Sequence, residues 1–257
     1  MFDLQSYLLG LGVMALLSLV GWTVSLIKHD VSIVDSLWFI FFFAAAIVYV
    51  LQGPHSERAY ITLGLILVWA LRCSIYITAR NWGAEEDRRY QAIRRRHEPH
   101  FAFKSLYIVF LLQVLLAWIV SLPLLATGTS PNPIGILDYL GAALALFGMT
   151  YEAIADWQLS RFKSDPTSCD RVMDRGLWRY TRHPNYFGEC CVWWGLFLLA
   201  LATGGWWSIL SPLVMTTLLV KVSGVALLEK TIVRRRPDYQ RYISQTNALI
   251  PGPRREL

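Results

Sequence analysis

Arg175-Gly-Leu-Trp-Arg-Tyr-Thr-Arg-His-Pro-Asn-Tyr-Phe-Gly-Glu189 runs without a break into Cys190-Cys-Val-Trp-Trp-Gly-Leu-Phe-Leu-Leu-Ala-Leu-Ala-Thr203. The first stretch gathers Arg175, Arg179, Arg182 and His183 into a turn-rich segment, and the second is an apolar run. A cationic, aromatic patch followed at once by such a run marks a chain entering a membrane, with its charges kept at the polar edge. A patch of this kind suits a phosphorylated cofactor brought against a substrate buried in lipid. It would serve equally as a positive loop that only sets topology, the commoner use in membrane proteins. Asn185 and Glu189 favour binding: both are polar, both stand at the membrane edge, and topology requires neither.

Composition agrees with the membrane reading. The chain is 55% apolar and only 16% charged, with a mean hydropathy of +0.41, which points to an all-α polytopic membrane protein. Its 24 Lys+Arg outnumber 18 Asp+Glu, but the cations lie between hydrophobic runs. Membrane head groups or an anionic cofactor account for that placement, and nucleic acid is not expected. Cys73, Cys169, Cys190 and Cys191 show no Cys-x-x-Cys spacing, and Pro99 and Glu98 part His97 from His100, so no metal site is expected. Met1 to Val24 lacks a basic leader and a small-residue cleavage site, so it reads as a retained first span.

Runs of about 20 apolar residues are long enough to cross a bilayer. Seven are predicted: Tyr7–Ile27, Ile33–Leu51, Tyr60–Thr78, Leu106–Ala126, Gly135–Trp157, Phe187–Thr203 and Trp206–Leu228. Lys28, Arg80 through Lys104, Arg161 through Arg182, and Lys230 through Arg255 all follow odd-numbered spans; Arg58 alone lies on the other face. Cations stay in the cytoplasm, so the N-terminus is expected outside and the C-terminus inside. No linker, repeat or low-complexity tract divides the chain, so residues 1–257 are expected to form one membrane-embedded domain.

Within the first basic loop, Glu85-Glu-Asp-Arg-Arg-Tyr-Gln-Ala-Ile-Arg-Arg-Arg96 puts acids ahead of arginines. That order matches a helix dipole, with Glu85 and Arg89 as an i,i+4 pair on a short surface helix. In the second loop, Asp165-Pro is a turn and Ser168 a possible cap. The tail closes on Pro251-Gly-Pro, a helix breaker.

Charges inside spans usually face a cavity or a partner, because hydrocarbon solvates them poorly. Asp35 opens the second span; Arg72 and Tyr76 share a face of the third, and Glu152 and Asp156 a face of the fifth. Arg72 reads as a structural partner of Asp35 or Glu152. A Tyr hydroxyl backed by a carboxyl group is a good donor to a ligand carbonyl. If that carbonyl is conjugated to C=C, its β-carbon becomes electrophilic, and a nicotinamide hydride with a proton completes a reduction. Arginines and Lys163 would hold the cofactor phosphates, while Asp156 and Glu189 would accept from its amide or ribose hydroxyls. No G-x-G-x-x-G follows a strand and no Walker loop is present, so a Rossmann unit is not the holder.

The chain resembles the steroid 5-alpha-reductase family. The likeness is carried by Asp156-Trp-Gln-Leu, Lys163, Arg171, Gly176-Leu-Trp, Asn185-Tyr-Phe-Gly-Glu189 and Pro237-Asp-Tyr with Ala248-Leu-Ile-Pro. Arg80-Asn-Trp-Gly-Ala-Glu-Glu-Asp-Arg-Arg-Tyr90 resembles the bacterial branch of that family. The resemblance implies a seven-helix enzyme of a bacterial inner membrane that uses NADPH to reduce the Δ4 bond of a 3-oxo steroid or a steroid-like lipid. It implies substrate-side helices over about 1–126, a cofactor part over about 135–257, and a monomer. Asp156, Lys163, Arg171, Asn185 and Glu189 fall on cofactor positions, and Tyr76 on the phenol that donates to the carbonyl. The family's glutamate partner on the second span has no counterpart here, and Asp35 is the substitute. Arg80, Asn81, Arg88, Arg175, Tyr180, Arg182 and His183 join the expected cofactor contacts; the family's His and Tyr at the nicotinamide end are Leu228 and Ile232 here, which leaves the neighbouring Glu229 as the polar candidate. The alternative is an S-adenosylmethionine-dependent membrane methyltransferase of the isoprenylcysteine or phospholipid type. Arg182-His-Pro-Asn-Tyr186 fits that pattern too, with Glu229 and Arg234 as its C-terminal partners. Lys163 and Arg171 weigh against it, since S-adenosylmethionine has no phosphates to neutralise.

Overall fold

Asp3 starts the first helix by accepting from the Ser6 amide, and His29 ends it in the left-handed region at φ 54°. In the computed structural model, which describes residues 2–168, 171–222, 229, 232–233 and 238–255, helices account for nearly all regular structure. They are α1 (Leu4–Lys28), α2 (Ile33–Gln52), α3 (Glu57–Asn81), α4 (Arg88–His97) and α5 (Phe101–Ser105). A π-turn over Leu106–Leu111 joins α5 to α6 (Leu112–Val120), and α7 (Leu122–Gly128), α8 (Ile136–Ser164), α9 (Pro184–Leu201), α10 (Leu210–Thr217) and α11 (Asp238–Gln245) follow. No strand occurs among the described residues.

Four stretches are long and apolar enough to cross a membrane: α1, α2, α3 and Phe101–Val120. The expected fifth and sixth spans, α8 and α9, carry Glu152 and Asp156, and Asn185 and Glu189. The expected seventh begins as the shorter apolar stretch Trp206–Val222, and its end lies outside the described residues. The fourth departs from its predicted bounds. It starts at Phe101 and stops at Ser121, because Pro123 fits only the first turn of a new helix.

The chain forms two compact units. The first holds residues 1–138 and 199–211. There α2 packs between α1 and α3 and also meets α6 and α7. At one end a Cβ on Gly53 would overlap the Gly128 carbonyl, and one on Gly128 would lie 2.8 Å from the Tyr49 side chain. At that end Arg58, fully buried, grips Asp138 through Nε at 2.6 Å and donates to the Asn132 and Pro133 carbonyls. At the other end, Trp22, Ile33, Ile93 and Ile108 surround a core of Val31, Val34, Tyr90, Phe101, Val109 and Phe110.

The second unit holds residues 139–198 and 212–257. Its α8 and α9 meet along glycines: a Cβ on Gly188 would lie 2.6 Å from the Gly148 carbonyl, and one on Gly195 would lie 2.5 Å from that of Gly141. Small residues repeated every two turns let the two backbones touch, as they do where helices pack in lipid.

Candidate functional site

The glycine seam sets the geometry of the buried polar residues in the second unit. With Gly188 against the Glu152 backbone, Glu152 and Asp156 on α8 lie along the same seam as Asn185 and Glu189 on α9. Each pair is spaced i,i+4 and so shares a helix face. Glu152, Asp156 and Glu189 are all buried. The Asn185 amide donates to Asp156 Oδ1 at 3.4 Å, while Asn185 Oδ1 is buried without a hydrogen-bond partner among the described residues. An unsatisfied buried acceptor costs about 1–3 kcal/mol, so this position calls for a donor.

Just before α9, the quoted motif is folded into a knot. Gly176 adopts φ 58°, and a Cβ there would collide with the Gln158 amide, whose oxygen accepts from the Leu177 amide at 3.0 Å. Trp178 donates to the Ala155 carbonyl, and Thr181 to the carbonyls of Ala248 and Leu249. Arg182 has all its nitrogens engaged. Nε and Nη2 hold Glu229 at 2.7 and 3.1 Å, and Nη1 donates to the Ile243 and Thr246 carbonyls at the end of α11. His183 Nε2 lies 3.0 Å from the same Glu229, and its ring stacks on Tyr186. Burial pushes the Glu229 carboxyl up, but His183 and Arg182 outweigh it and hold the group below its ordinary range. Tyr242 donates to the Trp178 carbonyl, and Arg254 ties the tail to Asp174 and Gln245.

The remaining expected cofactor contacts of this unit are spread along its surface. Lys163, Arg171, Arg175 and Tyr180 are exposed, Lys163 in the last turn of α8 and Arg175 as the cap of a short 3-10 turn. Asp165 forms the expected turn by accepting from the Thr167 amide at 2.9 Å. Arg234 lies outside the described residues.

In the first unit, Asp35 is clasped from the loop helix. Arg89 Nη2 and the Tyr90 hydroxyl each reach one of its oxygens at 2.6 Å, and Gln113 donates to that hydroxyl. Arg89 also holds Asp87, so its partners are Asp35 and Asp87, and the expected Glu85–Arg89 pair does not form. The reason is helix capping: Asp87 is the N-cap of α4, which leaves Glu85 and Glu86 ahead of the helix. Glu86 instead binds Arg94 at 2.7 Å and the Val31 amide; although burial raises its pKa, those bonds keep it lowered. Burial and the Asp35 charge push the Tyr90 phenol well above its usual value. Tyr76 is half-buried on α3, between Ser74 and Thr78, whose hydroxyls donate to Ser36. Arg80 donates to Asn81, and a polar cleft of 260 Å³ is lined by Asn81, Glu85, Glu86, Asp87, Arg88 and Gln91. Three carboxylates make it a poor cradle for phosphate; hydroxyls or a cation would fit better. Sequence reasoning paired Arg89 with Glu85 and passed over Tyr90 and Gln113.

Among the described residues no group of three or more His, Cys, Asp or Glu could hold a metal ion. No solved structure matches the chain. "Uncharacterized protein C594.04c" of Schizosaccharomyces pombe is 25% identical over 283 residues, covering 97% of this chain and 81% of that protein. A family profile described as "Protein of unknown function (DUF1295)" matches residues 21–246. That match covers most of the chain, which therefore belongs to the DUF1295 family, a steroid 5-alpha-reductase-like family.

Proposed function

We propose that the protein is an NADPH-dependent reductase of a lipid enone, a 3-oxo-Δ4 steroid or a flat lipid like it. The observation that carries the reading is the seam of buried Asp156 and Glu189 with half-buried Asn185, whose buried Oδ1 is an open acceptor. A row of acceptors suits the amide and hydroxyl donors of NADPH, and the exposed cations Lys163, Arg171 and Arg175 suit its phosphates. When bound, the cofactor supplies the hydride. In this reading Tyr76 donates to the substrate carbonyl, and the low dielectric of the helix bundle strengthens that bond. Asp35 has a positioning task, since Arg89 and Tyr90 fix α4 to the start of α2 through it. Arg182, His183 and Glu229 hold the motif in shape. Together α8, α9 and the Trp206 stretch bring the spans to seven in a bacterial inner membrane, N-terminus outside, and a monomer suffices.

One observation favours the methyltransferase. Arg182 and His183 of the Arg-His-Pro-Asn-Tyr motif do meet a C-terminal glutamate, Glu229. Thermal unfolding of the purified protein with each ligand separates the two readings. NADPH at about 100 times its Kd should add about 2.7 kcal/mol, and S-adenosylmethionine nothing. Stabilisation by S-adenosylmethionine alone would end the reductase. Tyr76→Phe should cut reduction of a 3-oxo-Δ4 steroid by about 100-fold or more while NADPH still stabilises the protein. Loss of that stabilisation would move Tyr76 to the cofactor side.

A further inference from the structure

The two faces of α4 have different occupations. Along a helix turning about 100° per residue, Tyr90, Ile93 and Arg94 share one side, and Ala92, Arg95 and Arg96 the other. The first side is fully engaged: Tyr90 on Asp35, Ile93 against the Val31 core, Arg94 on Glu86 and over the Phe101 ring at 4.4 Å. On the second side Arg95 and Arg96 are exposed, with no hydrogen bond or ion pair among the described residues. Lys104 turns back from α5 to reach the His97 carbonyl at 3.5 Å, which holds its ammonium beside the last turn of α4. Glu98 is the only carboxylate between Arg94 and Lys104.

This corner also has a fixed depth. Residues 82–87 and 98–100 are all that separate α4 from α3 and α5, which begin or end stretches long and apolar enough to cross a membrane. Two aromatic rings flank it outside the fold, Trp82 at 80% exposure and Phe103 at 67%. Exposed Trp and Phe beside clustered Arg and Lys form the pattern of a membrane interface, with rings at head-group level and cations among phosphates. We propose that Arg95, Arg96 and Lys104, between Trp82 and Phe103, bind the phosphate of anionic membrane lipids.

The test uses the full-length protein purified in neutral detergent. Phosphatidylglycerol, phosphatidylcholine and inorganic phosphate are added at equal phosphate, and bound lipid is counted by native mass spectrometry alongside the Tm. Phosphatidylglycerol should be retained and raise the Tm; the other two should do neither. The R95Q/R96Q protein should lose retention by roughly fivefold per arginine, and the loss should shrink in high salt. R95K/R96K should keep most of it, and K28Q/R241Q, with the same charge removed elsewhere, should keep all of it. The proposal is overturned if R95Q/R96Q retains phosphatidylglycerol like the parent, or if K28Q/R241Q loses as much. An equal Tm rise with inorganic phosphate would also overturn it, in favour of a soluble-anion site. Should R95Q/R96Q fail to fold, loss of retention in R95K/R96K overturns it instead.

Discussion

Arg182 and Arg89 each tie a loop to a helix through a carboxylate, but they do so in different surroundings. Arg182 and Glu229 are 9% and 15% exposed at their side chains, and the guanidinium also satisfies two carbonyls at the end of α11. Arg89 is 35% exposed, and its hold on Asp35 is shared with Tyr90. The same pair of charges is therefore a keystone in one unit and a clasp in the other. Where water is excluded, losing one partner strands the other charge and leaves carbonyls unbonded; where water reaches in, it compensates.

The largest effect should come from Arg182→Ala, which leaves Glu229 with His183 alone and two backbone carbonyls unbonded at once. We expect a loss of about 3–5 kcal/mol, read as a lowered Tm in detergent. Arg182→Lys should recover only part of it, because one ammonium cannot replace the fork. A loss under about 1 kcal/mol would mean that the knot is no keystone and the contrast with Arg89 is false.

Acid should loosen the same knot more gently, since it leaves the bonds from Arg182 to Ile243 and Thr246 in place. The Glu229 carboxyl is held below its usual 4.5 in the fold. A depressed pKa adds stability that is present above the unfolded value and vanishes as the pH falls through the folded one. The Tm should thus hold near neutrality and fall below about pH 4.5, and Glu229→Gln should flatten part of that fall. Parallel profiles for the two proteins would remove Glu229 from the account.

On the clasp, Tyr90→Phe deletes one hydrogen bond to a carboxylate that Arg89 still holds. The expected loss is about 1–2 kcal/mol in thermal unfolding. Asp35→Asn should cost a similar amount and, combined with Tyr90→Phe, less than the sum, because the two share one interaction. Strict additivity would show that Tyr90 and Asp35 do not act together.

How far the sequence foretold this contrast depends on the range of the contact. The four spanning stretches were legible because each is a long, mostly apolar run, and α4 because its arginines recur on a charged segment. Its start was misread by a few residues: dipole logic favours acids inside the first turn, whereas Asp87 caps the helix from outside and excludes Glu85. The break at Ser121 was signalled by Pro123. The seam of Gly141, Gly148, Gly188 and Gly195 was also there to be read, as two pairs with seven-residue spacing. Asp35 was recognised as a residue needing a partner, but Arg89 lies 54 residues away, and no local periodicity encodes such a meeting. The bond from Arg182 to Glu229, across 47 residues, is likewise beyond local periodicity; only the methyltransferase pattern put Glu229 beside that motif.

The smallest effect belongs to Asp174, which pairs with Arg254 at 3.1 Å where both side chains are about a third exposed. Arg254 keeps Gln245 as a second acceptor, so Asp174→Asn removes a charge without emptying the contact. The change in stability should stay within about 0.5 kcal/mol and shrink further in salt, as exposed pairs do. Set beside Arg182→Ala, it completes a series of arginine–carboxylate contacts that runs from buried to exposed. If Asp174→Asn lowered the Tm as much as Tyr90→Phe, burial would not be what ranks these pairs. The tail that Arg254 fastens beside Gln245 would then be bearing load that the structure assigns to Arg182.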